Sequence, residues 1–383
     1  MNFTTNKFCA IAGAVLATFA ATPASAANLA LSYGTTAGVV NAVAVAALTT
    51  PNQFVTAVRN SNLDLEAIVW FNNTATSQVQ RLGSFTSGNI PGSAAGPPTL
   101  SVVGIANNQF VTAFENEQEA LELIVFSVDS SGNIARKGSV IVAAPIASLA
   151  LTALDGAHVA TVTTNGATET ATLWAVDPLG NIAQQGSSWS VDDPSVIVGV
   201  VATSSSQIVV AQFVPNPGGI MMFSLSVNPS SLSLQDAVFY NTGYADNGVI
   251  DMLALGGGNF AMALENGATN LDIAQWTITT AGVMSQLTDN RSYPTINAVG
   301  LAAVGGLPFT ITATFPGLFG DLFLEANVWG GSASVAMAID TDFVCTPDDG
   351  CIASAAGLGG TQVATASAAA GADLHVDIWK FQE

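Results

Sequence analysis

The residues best suited to bind a ligand lie in three stretches of the chain, spaced about 50 residues apart. Each stretch combines an aromatic ring with carboxylates, and the last one adds an arginine. Aromatic faces stack on sugars or on peptide side chains, while carboxylates accept hydrogen bonds from hydroxyl and amide groups. The pattern predicts a binding surface for a carbohydrate, peptide or protein ligand; in a second interpretation the rings only fill gaps between packed sheets. The residues are Trp189, Asp192, Asp193, Tyr240, Tyr244, Asp246, Asp289, Arg291 and Tyr293.

Residue types that commonly catalyse reactions are scarce. The two histidines, His158 and His375, both lie in strand-like segments, where a lone histidine is more often a packed or surface residue than a base. The sequence contains no Gly-x-Ser-x-Gly, His-Glu-x-x-His or Cys-x-x-Cys motif. We therefore expect no catalytic residues.

The elements that must position these side chains repeat along the chain. A strand built around a large aromatic residue recurs at gaps of 48 to 56 residues, and a short apolar strand precedes each one. A period near 50 made of short β segments is typical of a propeller, in which each repeat is one small sheet. We predict an all-β, seven-bladed β-propeller of four-stranded antiparallel blades, with strands A to D running from the centre outward. The aromatic residues are Trp70, Phe126, Trp174, Phe223, Trp276, Trp329 and Trp379.

The first 26 residues have the pattern of a cleaved signal peptide, because Lys7 precedes an apolar run that ends in small residues. Residues 27–383 then form one domain, and the protein is expected to be secreted or periplasmic. No other stretch approaches 18 uninterrupted apolar residues, so we expect no membrane insertion. The segment Asn28 to Tyr33 is predicted to pair with the last strand and to close the ring.

The chain is strongly acidic, with 27 acidic and seven basic residues and a net charge of −20. Such a charge repels nucleic acid. Strand alternation assigns about 20 of the 27 acidic residues to the face that carries the B-to-C and D-to-A connections. This acidic face is expected to attract cations and cationic partners; the alternative is that the charge only keeps an exported protein soluble.

Two further features concern covalent and metal chemistry. Cys345 and Cys351 flank a turn-forming segment and are predicted to form a disulfide bond in an exported protein. Two similar turns begin at Asp129 and Asp177 and contain a glycine three residues later. Their spacing is ordinary hairpin chemistry, so no metal site or cofactor is predicted, and a divalent cation such as calcium remains the alternative.

The repeats resemble those of the seven-bladed β-propeller superfamily, particularly exported bacterial members, in residues such as Phe54 to Val58, Ile68 to Trp70 and Arg81 to Ser84. The hairpin from Leu123 to Ile134 resembles blades of lactonase-type propellers. That second resemblance implies hydrolysis of sugar lactones.

The leading hypothesis is a secreted or periplasmic binding module that presents its acidic face to a partner. The alternative is a lactonase-like hydrolase or lyase that uses a divalent metal with acids such as Asp246, Asp251 and Asp289. A structural component of the cell envelope is a third hypothesis.

Overall fold

The described part of the chain folds into β-strands without helices. A computed structural model describes residues 28–89, 100–192, 198–214, 218–241, 250–265, 270–314, 322–330, 333–345, 351–369 and 372–382. Within these ranges there is no helix that could span a membrane. The proposed signal peptide lies outside the described residues.

The strands are, in chain order, β1 Asn28–Ala47, β2 Gln53–Asn60, β3 Asp64–Asn73, β4 Gln78–Asn89, β5 Leu100–Ile105, β6 Gln109–Glu115, β7 Ala120–Val128, β8 Ile134–Pro145, β9 Ser148–Ala153, β10 His158–Thr164, β11 Thr168–Val176, β12 Ile182–Gln184, β13 Trp189–Asp192, β14 Val198–Ser204, β15 Gln207–Val214, β16 Gly219–Asn228, β17 Ser231–Tyr240, β18 Ile250–Gly256, β19 Asn259–Glu265, β20 Asn270–Ile278, β21 Met284–Val304, β22 Leu307–Thr314, β23 Leu322–Gly330, β24 Ala333–Cys345, β25 Cys351–Gly359, β26 Gln362–Ala369 and β27 Ala372–Gln382.

These strands form five antiparallel sheets in a β-propeller arrangement. Three sheets correspond to single repeats: β5 to β8, β9 to β13, and β14 to β17. The other two each have seven strands, ordered β25-β26-β27-β1-β2-β3-β4 and β18 to β24. The sequence predicted seven separate sheets, and the structure has five instead.

Two long strands account for this difference. β1 pairs with β27 from Asn28 to Val40 and with β2 from Val40 onward. β21 pairs with β20 up to Thr295 and with β22 from Ile296 onward. Each strand thus continues from the outer position of one four-stranded unit into the inner position of the next without a break. A shared strand merges two units into one sheet.

The expected pairing of the first strand with the last is confirmed. Asn28 lies opposite Gln382, Leu31 opposite Trp379 and Val40 opposite Ala372. The pairing is longer than the predicted segment, which ended at Tyr33. Both described ends of the chain are therefore held in one sheet.

A buried hydrogen bond repeats inside the units. The indole of the strand-C tryptophan donates to a threonine two residues beyond its strand-B neighbour, so a ring that would otherwise bury an unpaired N–H is satisfied. The pairs are Trp70–Thr56 at 2.9 Å, Trp174–Thr161 at 2.9 Å, Trp329–Thr310 at 3.0 Å and Trp379–Thr365 at 2.9 Å.

The unit β14–β17 departs from the predicted alignment. Leu225, and not Phe223, lies opposite Ile208, the position that Trp70 takes opposite Phe54. Phe223 packs instead beside Trp189, with ring centroids 5.0 Å apart. The strand-C core position predicted from the sequence was therefore two residues too early in this unit.

Neighbouring units lock together through a bulge and a turn glycine. Strand D contains one extra, bulged residue opposite the strand-C core position. The side chain of this residue packs against the C-to-D turn of the following unit. The turn glycine has a φ of +87° at each site, and an added Cβ would collide with the bulged residue. Only glycine, which has no Cβ, tolerates both the positive φ and the close contact with the bulged residue. The pairs are Leu82–Gly132, Lys137–Gly180 and Gln235–Gly282.

The inner strands surround a central cavity of about 410 Å³. It is lined by β1, β5, β9, β14, β18, β21 and β25, mostly through small apolar side chains. Inner strands do not pair with one another. The N–H groups on their unpaired edges therefore need other acceptors. Polar side chains of the neighbouring inner strand supply them: Ser354 Oγ accepts from Val45 at 3.1 Å, and Thr152 Oγ1 accepts from Ala202 at 3.2 Å.

The predicted disulfide would join two consecutive strands, β24 and β25, that belong to different sheets. Cys351 is buried at the start of β25, and β24 ends at Cys345. The side chain of Cys345 lies outside the described residues, so the bond stays a prediction.

Candidate functional site

A tyrosine and two aspartates meet where β17 faces the unit β18–β21. The hydroxyl of Tyr240 lies 3.1 Å from Oδ2 of Asp272 and 3.0 Å from Oδ1 of Asp289. Tyr240 and Asp272 are buried, whereas Asp289 is exposed. The Tyr240 hydroxyl therefore lies between a buried and an exposed carboxylate.

Strand register explains how these three side chains meet. Asp289 lies opposite Ala274, two residues from Asp272 on the same face of β20, so both carboxylates point to one side of the sheet. Tyr240 is the last residue of β17, and its ring packs edge-on against Trp276 at 5.6 Å. Core packing of the ring thus places its hydroxyl between the two acids.

The electrostatics of this cluster are unusual. Burial, together with the neighbouring charges of Asp272 and Asp289, raises the pKa of the Tyr240 hydroxyl. The phenol therefore keeps its proton, and that single proton can be donated to only one carboxylate oxygen at a time. The other carboxylate oxygens remain acceptors for donors beyond this hydroxyl.

Asp272 belongs to a repeated position that the sequence shows as an acid four residues before the strand-C aromatic. In two earlier units this acid pairs with an arginine of strand D: Glu66 with Arg81 at 2.6 Å and Glu122 with Arg136 at 3.3 Å. Both arginines lie opposite the strand-C aromatic, and Gln286 takes that place opposite Trp276. Tyr240 of the preceding unit approaches the acid there instead.

The remaining predicted site residues are placed only in part. Trp189 is half-buried against Phe223, and Asp192 is exposed and accepts a hydrogen bond from Thr168 at 3.2 Å. Asp193, Tyr244 and Asp246 lie outside the described residues. The backbones of Arg291 and Tyr293 belong to β21, but their side chains are not described.

Of the predicted residues, the structure brings together Tyr240 and Asp289. The Tyr240 ring offers no open face for stacking, because it packs in the core between two units; for this residue the second interpretation, in which the rings fill gaps between sheets, is the one the structure supports. Asp272 was missing from the predicted site although its spacing before Trp276 was visible in the sequence. The signal that could have found it is its position relative to the strand-C aromatic.

Several carboxylates at the same ends of the sheets lie inside the protein. Glu115, Glu169 and Asp272 are buried. Burial raises the pKa of Glu115, with a contribution from Glu119, and it raises the pKa of half-buried Glu265 to about 7. A buried carboxylate costs stability and adds little to solubility. Solubility alone therefore does not explain these buried acids.

Asp251, named for the metal-assisted reaction, and Asp129 and Asp177, named for calcium, accept hydrogen bonds from the protein itself. Asp251 lines the central cavity and accepts hydrogen bonds from the N–H groups of Met252 at 2.8 Å and Leu301 at 2.7 Å. Burial raises its pKa to about 6 despite these two donors. Asp129 and Asp177 each accept two backbone N–H bonds and an asparagine side chain of their own turn. Among the described residues, no group of three or more potential metal-binding side chains occurs.

Comparison with known proteins supports the fold. A protein from Lactobacillus plantarum has a TM-score of 0.51 at 12% identity, over 79% of this chain and 88% of that one. Sqt1 of Saccharomyces cerevisiae has a TM-score of 0.51 at 11% identity, over 92% and 98%. A mutant of the Aleuria aurantia lectin in complex with α-methyl-L-fucoside has a lower TM-score, 0.48 at 12% identity, over 83% and 95%. No family model and no curated protein matches the sequence. At these identities the solved structures show similarity of fold alone, and that fold is a β-propeller.

Proposed function

We propose that this protein is an exported propeller of seven four-stranded blades that acts as a binding module. The blade number is supported by the two strands that change partner midway, because each divides a seven-stranded sheet into two four-stranded units. One inner strand from each of seven units also lines the central cavity. The signal-like pattern of the first 26 residues supports the proposal that the protein is exported.

The binding surface is the acidic face, and the ligand is a carbohydrate, peptide or protein. The observation that carries this proposal is the cluster of Tyr240, Asp272 and Asp289. The hydroxyl of buried Tyr240 lies within hydrogen-bond distance of the exposed carboxylate of Asp289 and positions it at the surface. A pre-positioned acceptor loses little freedom when a ligand binds.

The chemistry of this cluster favours a partner that donates hydrogen bonds. Carboxylate oxygens only accept, and the single phenolic proton is already shared between two acids. Sugar hydroxyls, peptide amides and basic side chains all fit such a site. Because the Tyr240 ring is buried, ring stacking is not the contribution of this residue.

The test is binding by the labelled chain without its first 26 residues to arrays of glycans and of peptides. For the ligand found, Asp289→Asn is expected to weaken binding about tenfold, since charged hydrogen bonds are the stronger ones. Glu117→Gln is the matched control, because Glu117 is exposed in another unit at the same face and loses the same charge. Equal losses in both variants, or no bound ligand on either array, would overturn the proposal.

A further inference from the structure

A second cavity lies at the opposite ends of the sheets from the acidic face. It has a volume of about 190 Å³ and lies between the units β9–β13 and β14–β17. Leu154, Leu173 and Val227 give it apolar walls, and the turns that follow β9 and β16 form part of its rim. A small concave site with apolar walls and a few polar groups is the usual form of a ligand pocket.

One side of this cavity carries an aspartate and a histidine in a fixed arrangement. Asp155 Oδ1 accepts hydrogen bonds from the N–H groups of Ala157 at 2.7 Å and His158 at 2.9 Å, and its Oδ2 lies 2.9 Å from Nδ1 of His158. Partial burial opposes ionisation, but these bonds lower the pKa of the Asp155 carboxyl. The carboxylate is ionised at neutral pH and can only accept, so Nδ1 of neutral His158 carries the proton.

That tautomer determines the chemistry of the other ring nitrogen. With Nδ1 donating to Asp155, Nε2 of the neutral ring has a free lone pair and acts as an acceptor. None of the described residues forms a hydrogen bond with Nε2, and His158 is partly exposed at the cavity. The sequence interpretation placed this histidine only as a packed or surface residue of a strand, because its acidic partner comes from the preceding turn.

Gln185 supplies a second acceptor. It lines the same cavity, and its Oε1 is buried without a hydrogen bond from any described residue. Its own backbone N–H donates to the carbonyl of Leu173 at 2.8 Å, which fixes the segment between β12 and β13. A buried carbonyl oxygen without a donor is unfavourable, so a ligand that donates to Oε1 would be favoured.

We propose that this cavity binds a protonated primary amine attached to a short apolar chain. The ammonium would donate to Gln185 Oε1 and His158 Nε2 beside the carboxylate of Asp155, and the chain would pack on Leu173 and Val227. The net charge of −20 attracts such a cation toward the protein. The amine is either a free alkylamine or the lysine side chain of a peptide.

The test is to titrate amine probes into the chain without its first 26 residues. Binding is measured by calorimetry and by the NMR signals of the His158 ring. The probes are n-butylamine and the N-acetyl, N-methylamide derivative of lysine, which separate the free amine from the peptide source. The comparison ligands are n-butanol, which lacks the charge, and trimethylbutylammonium, which keeps the charge but has no N–H. Both are expected to bind at least about tenfold more weakly.

Gln185→Met is expected to weaken butylamine binding about tenfold, because it removes one acceptor and keeps the side-chain length. Gln184→Met is the matched control, since that neighbouring side chain instead bonds the Gly186 carbonyl at 3.2 Å. Far-UV circular dichroism verifies that both variants fold. Trimethylbutylammonium binding as tightly as butylamine, equal effects of the two variants, or no saturable change at His158 would overturn the proposal. The acidic-face proposal is tested with other residues and would survive this failure.

Discussion

Alanine at Gly180 is expected to weaken the junction between the unit β9–β13 and its predecessor. Gly180 has a φ of +87°, and a Cβ added there would collide with Cβ of Lys137 in β8. A Cβ is fixed to the backbone, so the collision moves one unit relative to the other. Gly166 is a matched control, because its φ is +83° and an added Cβ meets no atom within 4 Å.

The two substitutions separate backbone strain from packing. A left-handed conformation costs an alanine about 1 to 2 kcal/mol, and both variants incur this cost. Forcing a methyl group into a filled space adds about 1 to 3 kcal/mol, and only Gly180→Ala incurs that cost. We therefore expect a loss of about 2 to 5 kcal/mol for Gly180→Ala and about 1 to 2 kcal/mol for Gly166→Ala.

Equilibrium urea unfolding of the two variants and the parent protein measures this difference. A double-mutant cycle with Lys137→Gly, which removes the Cβ in question, isolates the contact itself. Gly180→Ala should be less harmful in the Lys137→Gly background. The mechanism is refuted if both alanine variants lose equal stability, or if Lys137→Gly leaves the effect of Gly180→Ala unchanged.

Three further changes test the fold. Deleting residues 27–35 removes much of the β1 pairing with β27 and is expected to lower the melting temperature of the whole protein. Thr365→Val leaves the Trp379 indole N–H without its acceptor and should cost about 1 to 3 kcal/mol in urea unfolding, whereas Thr365→Ser keeps the hydroxyl and should cost less. Asp251 has a folded-state pKa of about 6 against an ordinary value of 3.8, so its contribution to stability is greatest below pH 3.8 and is lost as pH rises through 6. The stability of the parent relative to Asp251→Asn should fall by about 3 kcal/mol over this range, measured by urea unfolding at each pH.

Each of these expectations has a contrary outcome. Unchanged melting after the deletion would show that the pairing of the chain ends is not needed for stability. Equal effects of the valine and serine variants would assign the cost at Thr365 to packing and not to the hydrogen bond. A stability difference at Asp251 that grows as pH rises would show that its pKa is lowered on folding, the opposite of what burial implies.

The repeated strands could be predicted from the sequence because each unit uses the same buried positions. Trp70 lies opposite Phe54 and Trp379 opposite Val363, which are equivalent strand-B positions, and apolar runs before them indicate the inner strands. The role of the first strand could also be predicted, since a repeat that lacks its outer strand must obtain one elsewhere. These features depend on local pattern and on the need to cover a sheet edge.

The register and the shared strands could not be obtained in the same way. Phe223 and Leu225 are both apolar and lie two residues apart on the same face of β16, so the hydrophobic pattern did not distinguish them as core positions. Whether β21 ends or continues between two units depends on the connection around Thr295, where no glycine marks a turn.

Only the approximate location of the candidate site could be predicted from the sequence. Successive units bring Tyr240 and Asp289 close together, as the repeat implies. The burial of Tyr240 depends on Trp276 of the next unit, and a single strand sequence does not show its neighbour's side chains. The Asp155–His158 pair was missed for a related reason, because its geometry comes from the turn between β9 and β10.

The antiparallel pairing of β1 with β27 has a mechanical consequence. The start of β1 lies beside the end of β27, so a force that pulls the two termini apart would act on the outermost backbone hydrogen bonds first. Those bonds would open one after another, as in unzipping, and would not share the load as they do under shear. A cell-surface tether at one end of this protein would therefore be tolerated far better than tension applied across both ends.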